Sequence, residues 1–107
     1  MATGKLGAND LAATTLTTVY TCPAATYSVV SINICNRGTS TTGVRIAIAD
    51  SDTPSAAEYI EYDTEVFSKN VLERTGIVLA ATQRIVVYST QASVSACLLY
   101  TSDAADE

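Results

Sequence analysis

The sequence predicts an all-β protein: one antiparallel β-sandwich, jelly-roll-like, of seven or eight short strands. Three observations lead there. Threonine, valine, isoleucine and tyrosine are abundant, and such β-branched and aromatic side chains fit a pleated, half-buried surface. Apolar residues recur at period two, as in Val30, Ile32, Ile34 and again in Val44, Ile46, Ile48. The runs are short and divided by Gly, Pro, Asn and Asp, with no stretch carrying the 3.6-residue period of an amphipathic helix. At 107 residues the chain holds one core and not two.

Along the chain, residues 1–13 are small and polar, and Gly4, Gly7 and Asn9-Asp10 predict an N-terminal arm or loop. Residues 14–96 carry the sandwich. A strand is expected over Thr14 to Thr21, closed by the turn at Cys22-Pro23-Ala24-Ala25. The strongest strand signal is Thr26 to Asn36. There Tyr27 and Val29 have the opposite parity to Val30, Ile32 and Ile34, which predicts a bulge or a change of covered face near Val29-Val30. After a Thr- and Gly-rich loop, Val44 to Ile48 reads as a half-buried strand. The loop Asp50 to Ser55 precedes a strand at Glu58 to Tyr62, and Asp63 to Asn70 reads as irregular. Val71 to Arg74 and Ile77 to Leu79 read as two strands broken by Gly76. Arg84 to Ser89 is a further strand, and Val94-Ser95-Ala96 opens the last.

Composition narrows the chemistry. Histidine is absent, which removes the usual general base, the usual switch near neutral pH and the commonest metal ligand. Eleven acidic residues against six basic give a net charge of −5, and the basic residues stand singly, so a nucleic-acid surface is not expected. No apolar run approaches the ~18 residues of a membrane span, and Met1 to Lys5 lacks the apolar core of a secretory signal. The spacing of Cys22 and Cys35 fits no zinc pattern, so both are expected to be reduced, structural residues.

Each local cluster has an ordinary explanation. Glu58, Glu61, Asp63 and Glu65 are close in sequence, but alternate strand positions face apart and nothing supplies the cleft of a glycosidase; a solvated edge is expected. Asp50-Ser51-Asp52 lacks the glycine and distal glutamate of a calcium loop and reads as turn capping. Gly38 and Gly43 flank a threonine-rich loop without the lysine and helix of a phosphate loop. Glu73-Arg74 reads as a strand-edge ion pair. No catalytic residue, cofactor site or metal site is predicted, and the expected class is non-enzymatic.

Two features point to assembly. Ile77-Val78-Leu79 and Ile85-Val86-Val87-Tyr88 are apolar on both faces, whereas a lone sandwich gives each strand one polar face. Either a loop covers them or they meet a partner. In the second case Ile77, Val78, Leu79, Ile85, Val86, Val87 and Tyr88 are the candidate interface. The final segment, Cys97 to Glu107, resembles, residue for residue, an in-frame translation of a transposase-type sequencing adaptor. On that reading residues 97–107 are a non-native tail on DNA of environmental origin. Without Asp103, Asp106 and Glu107, eight acidic residues face six basic ones and the remainder is nearly neutral.

Four segments carry a resemblance: Val19-Tyr20-Thr21-Cys22-Pro23-Ala24, Ser31-Ile32-Asn33-Ile34-Cys35-Asn36-Arg37, Ala57-Glu58-Tyr59-Ile60-Glu61-Tyr62-Asp63 and Leu72-Glu73-Arg74-Thr75-Gly76-Ile77-Val78-Leu79. In this order they resemble a group of roughly hundred-residue virion structural proteins of tailed bacteriophages from marine and freshwater environments, over Lys5 to Ala96. The resemblance implies a capsid-decoration or tail- or fibre-associated protein, assembled in the host cytoplasm with copies of itself or other virion proteins, without nucleic acid or membrane. Its motifs are core and turn patterns and import no catalytic mechanism. The alternative is a module that binds a host-surface glycan, with Tyr20, Tyr27, Tyr59, Tyr62 and Tyr88 as candidate sugar contacts.

Overall fold

The computed structural model describes residues 4–102. Eight strands follow one another: β1 (Lys5–Leu11), β2 (Thr17–Thr21), β3 (Ser28–Asn36), β4 (Thr42–Ala49), β5 (Tyr59–Val66), β6 (Val71–Leu79), β7 (Arg84–Ser89) and β8 (Val94–Ser102). A single 3₁₀ turn, Ala56–Glu58, precedes β5. One four-stranded sheet runs β1-β8-β3-β6 and the other β2-β7-β4-β5, with every pairing antiparallel. Except for β4 to β5, each connection crosses from one sheet to the other. This is jelly-roll topology, and the expected all-β sandwich is the fold of the chain.

The period-two pattern builds the core. In β3, Val30, Ile32 and Ile34 face inward and are fully buried, while Ser31, Asn33 and Cys35 alternate outward. Val44 and Ile46 of β4, Ile85 and Val87 of β7, Ile77 and Leu79 of β6, and Val94 and Leu98 of β8 meet them between the sheets. Each such side chain taken from water contributes about 1.5–3 kcal/mol before its ordering entropy is counted. Cys22 is buried in this core as a free thiol, and Cys35 and Cys97 are half-buried and also free.

All four edge strands carry an inserted residue. In β1, Lys5 and Gly7 pair with consecutive residues Leu99 and Leu98. In β2, Thr18 and Tyr20 pair with Val86 and Ile85. The register slips in β6 between Ile77 and Arg74, and in β5 between Thr64 and Glu61. The central β4–β7 pairing has no slip. Bulges at edges bend the strand and spoil the ladder that another chain would copy.

These bulges also correct several sequence-based boundaries. The segment expected to be an arm forms β1 from Lys5 to Leu11, held by β8; residues 1–3 lie outside the described residues. Asp63, at φ 55°, lets β5 run on to Val66 where irregular chain was expected. Gly76, at φ 69°, bulges β6 without breaking it, so the two expected strands are one. β3 alternates without a break from Ser28 to Asn36, so the bulge or change of face expected near Val29-Val30 is absent from β3; the register shift beside it inserts Thr101 in β8. Of the expected tail, residues 97–102 continue β8 between β1 and β3, and Leu98 is fully buried; residues 103–107 lie outside the described residues.

Candidate functional site

The two outer faces of the sandwich differ in character. On the second sheet, neighbouring strands place Tyr88 of β7, Arg45 of β4, and Tyr62 with Asp63 of β5 in one cross-strand row. The Arg45 guanidinium lies 4.2 Å from the centre of the Tyr62 ring and 4.6 Å from that of Tyr88. Its Nε donates to Asp63 Oδ1 at 2.6 Å, and that hydrogen bond raises the Arg45 pKa above its ordinary value. The Tyr59 ring meets Tyr62 edge-on at 5.1 Å.

The connection from β4 to β5 folds back over the same face. Asp52 Oδ1 accepts hydrogen bonds from Thr18 Oγ1 at 2.7 Å and Arg84 Nη1 at 3.0 Å, so the loop spans β2 and β7. The Thr18 bond, then Arg84, lowers the Asp52 pKa. Glu58 accepts from the backbone amides of Ser55 at 2.9 Å and Asp50 at 3.2 Å, and the Ser55 bond is the main cause of its lowered pKa. The aspartates of this loop therefore brace it against the sheet.

That loop bears on one position of the candidate interface, Val86. Val86 points outward but is 1% exposed; its register partners are Thr18 and the fully buried Ala47, and Arg84 flanks it under Asp52. Ile85 and Val87 point inward into the core. In β6, Ile77 and Leu79 are likewise core residues. Of the seven residues expected at an interface, these five are buried within the single chain, and that expectation is corrected: the apolar runs are core plus Val86, buried on the outer side between Thr18 and Ala47. Tyr88 is half-buried beside Arg45, and Val78 is 55% exposed.

Val78 belongs to the outer face of the first sheet. With Val29 opposite it, exposed Val71, Leu99 and Ala8, and half-buried Cys35 and Cys97, it shares this face with Ser31, Asn33 and Ser95. The charged groups there are Lys5, Asp10 and Glu73, and Asp10 is paired with Arg37. This surface was hidden in the sequence because its members alternate, strand by strand, with core residues.

The acidic cluster disperses. Glu58 caps a loop, Asp63 pairs with Arg45, and Glu61 turns inward to Arg74 Nη1 at 2.7 Å. The predicted Glu73–Arg74 edge pair is thus replaced by one across the sheets, because Arg74 sits opposite inward-facing Ile32. Among the described residues no group of three or more Cys, Asp or Glu side chains is placed to hold a metal ion. An open polar cleft of about 430 Å³ lies between the loops Arg37–Ser40 and Gln91–Ser93. No helix among the described residues is long and apolar enough to cross a membrane.

Comparison with protein-family models, curated proteins and solved structures finds no match to this chain.

Proposed function

We propose that the chain is a non-enzymatic structural protein of a tailed-phage virion, a capsid-decoration or tail-associated jelly roll that works through protein–protein assembly. The observation that carries this reading is the contrast between its two outer faces. The second sheet is covered by a braced loop and an Arg–Tyr–Asp row, whereas the first presents Val29, Val71 and Val78 with few charges. Jelly rolls recur in viral capsids, and that analogy adds support at the level of fold alone.

Four strands about 4.8 Å apart and up to nine residues long offer about 500 Å² of surface per copy, less than the ~800 Å² per partner of a standard interface. Contacts through this face alone are therefore weak and reversible, and they gain strength where many copies are held together in a particle. The partners on this reading are copies of the chain or other virion proteins, with no nucleic acid and no membrane.

Light scattering over a wide range of protein concentration tests the reading. The expected result is a mass that rises with concentration towards a defined oligomer and returns to that of a monomer in the double variant Val71→Glu, Val78→Glu. A mass that stays monomeric throughout, or an oligomer indifferent to both substitutions, would overturn assembly of copies through this face.

A further inference from the structure

The row Tyr88–Arg45–Tyr62 ends beside a gap in the sheet surface. Thr42 and Val44 point inward, so Gly43 between them faces outward, opposite Glu65 of β5. The atoms nearest a Cβ built on Gly43 would be those of Thr90, at 3.5 and 3.7 Å, and the Asp63 Cα, at 3.8 Å. Gly43 therefore leaves a shallow recess with room for a methyl group in ordinary contact with Thr90 and Asp63. Tyr62, 58% exposed, stands at its border with Asp63, whose side chain is 51% exposed. Three of the five tyrosines considered as sugar contacts, Tyr59, Tyr62 and Tyr88, converge here. Tyr20 packs against the core from β2, and Tyr27 lies in the β2–β3 connection.

We propose that this shelf and recess bind the pyranose ring of a neutral hexose. The ring's C–H face lies on the face of Tyr62 turned away from Arg45; Tyr62 is held by Arg45, 4.2 Å from its centre, and by its perpendicular contact with Tyr59. Adjacent hydroxyls donate to the carboxylate of Asp63, which keeps acceptor capacity beyond its bonds to Arg45. Charge selects the class of sugar. The Arg45 cation is matched by Asp63, and Glu65 adds a further negative charge at the recess, so a sialic or uronic acid would be repelled. A few fixed polar groups beside an aromatic surface are the usual means of orienting a small polar ligand. The inference is independent of the assembly face, which lies on the other sheet.

The test is a titration of the full chain, followed through the tyrosine ring resonances by NMR. The probes are methyl glucoside, methyl galactoside and methyl mannoside, with N-acetylneuraminic acid as the acidic counterpart. Saturable shifts at Tyr62 and Tyr88, with Tyr20 and Tyr27 still, are expected for at least one neutral sugar. Gly43→Val fills the recess and Tyr62→Ala removes the shelf, and each is expected to weaken binding by about tenfold or more. Gly43→Val adds bulk where a Cβ meets only ordinary contacts, and Tyr62→Ala alters an exposed side chain, so the fold is checked in the same spectra. No saturable shift with any neutral sugar, tighter binding of the acidic sugar, or binding unchanged in both variants would overturn the proposal.

Discussion

Arg74 of β6 and Glu61 of β5 reach towards each other across the open side of the sandwich and pair at 2.7 Å. Both occupy inward-facing positions, Arg74 opposite Ile32 and Glu61 opposite Ile46, yet each sits on an edge strand where the two sheets part. The Glu61 side chain is 15% exposed and its second oxygen accepts from Thr64 Oγ1 at 2.6 Å, so the carboxylate is the more buried partner. The other side of the sandwich, between β1 and β2, is closed by backbone proximity at Gly7.

Removing one member of this pair costs more than removing both. Arg74→Met leaves a largely buried carboxylate with one hydroxyl partner and is expected to lower stability by about 1–3 kcal/mol. The double variant Arg74→Met, Glu61→Gln is expected to recover much of that loss. Urea unfolding of the two proteins and the wild type, combined as a mutant cycle, measures both effects.

At Gly7, a Cβ would lie 2.5 Å from the Val19 carbonyl oxygen, a contact with backbone that cannot easily move. Gly7→Ala is therefore expected to cost about 1–3 kcal/mol through overpacking. Gly43→Ala, whose nearest contact is at 3.5 Å, serves as the control and is expected to leave the melting temperature almost unchanged.

Asn36 is fully buried and ties three segments together. Its Nδ2 donates to the carbonyls of Ser40 at 2.8 Å and Val66 at 2.9 Å, and its Oδ1 accepts from the Gly38 amide at 2.9 Å. Asn36→Leu strands those three groups at the loop end of the sandwich. A loss of about 2–4 kcal/mol is expected, with faster amide exchange across 37–41 and 66–70.

Thr82 holds φ at 66° in the β6–β7 turn, a backbone conformation that a β-branched residue adopts at a cost. Thr82→Gly is expected to stabilise the chain by about 0.5–1 kcal/mol, net of the entropy glycine adds to the unfolded state. Differential scanning calorimetry would show this as a higher melting temperature.

The Asp50–Glu58 loop is expected to be acid-sensitive. Asp52 and Glu58 have folded pKa values lowered below the ordinary 3.8 and 4.5, by Thr18 and Arg84 in one case and by the Ser55 and Asp50 amides in the other. Groups with depressed values contribute stability that is present above their unfolded pKa and lost as pH falls through the folded one. Stability is thus expected to be level near neutrality with respect to these groups, and to decline in acid below their ordinary values. Asp52→Asn should blunt that decline and expose Val86, as read from its methyl resonances.

Much of the fold was legible because side-chain period and burial coincide. Ile32 and Ile34 alternate cleanly with polar neighbours, and β7 has the bounds expected for it, Arg84 to Ser89. β1 was not legible: Gly7, Asn9 and Asp10 resist strand formation locally, and only pairing with β8 makes them extended. The continuity of β5 past Asp63 and of β6 past Gly76 depends on bulges, which insert one residue and invert the expected parity. The interface assignment failed at five positions because Ile77, Leu79, Ile85 and Val87 face the core and Val86 is buried between its register partners Thr18 and Ala47. The row of Tyr62, Arg45 and Tyr88 is equally a product of register, with its members scattered in the chain.

The bulged rims of the sandwich set a limit on growth. A straight edge invites the next chain to extend the sheet indefinitely, whereas β1, β2, β5 and β6 each break the hydrogen-bond spacing a newcomer would need. Each sheet of such a molecule stays four strands wide. On the proposed assembly reading, copies would then be laid like tiles, face against face, and not woven strand by strand.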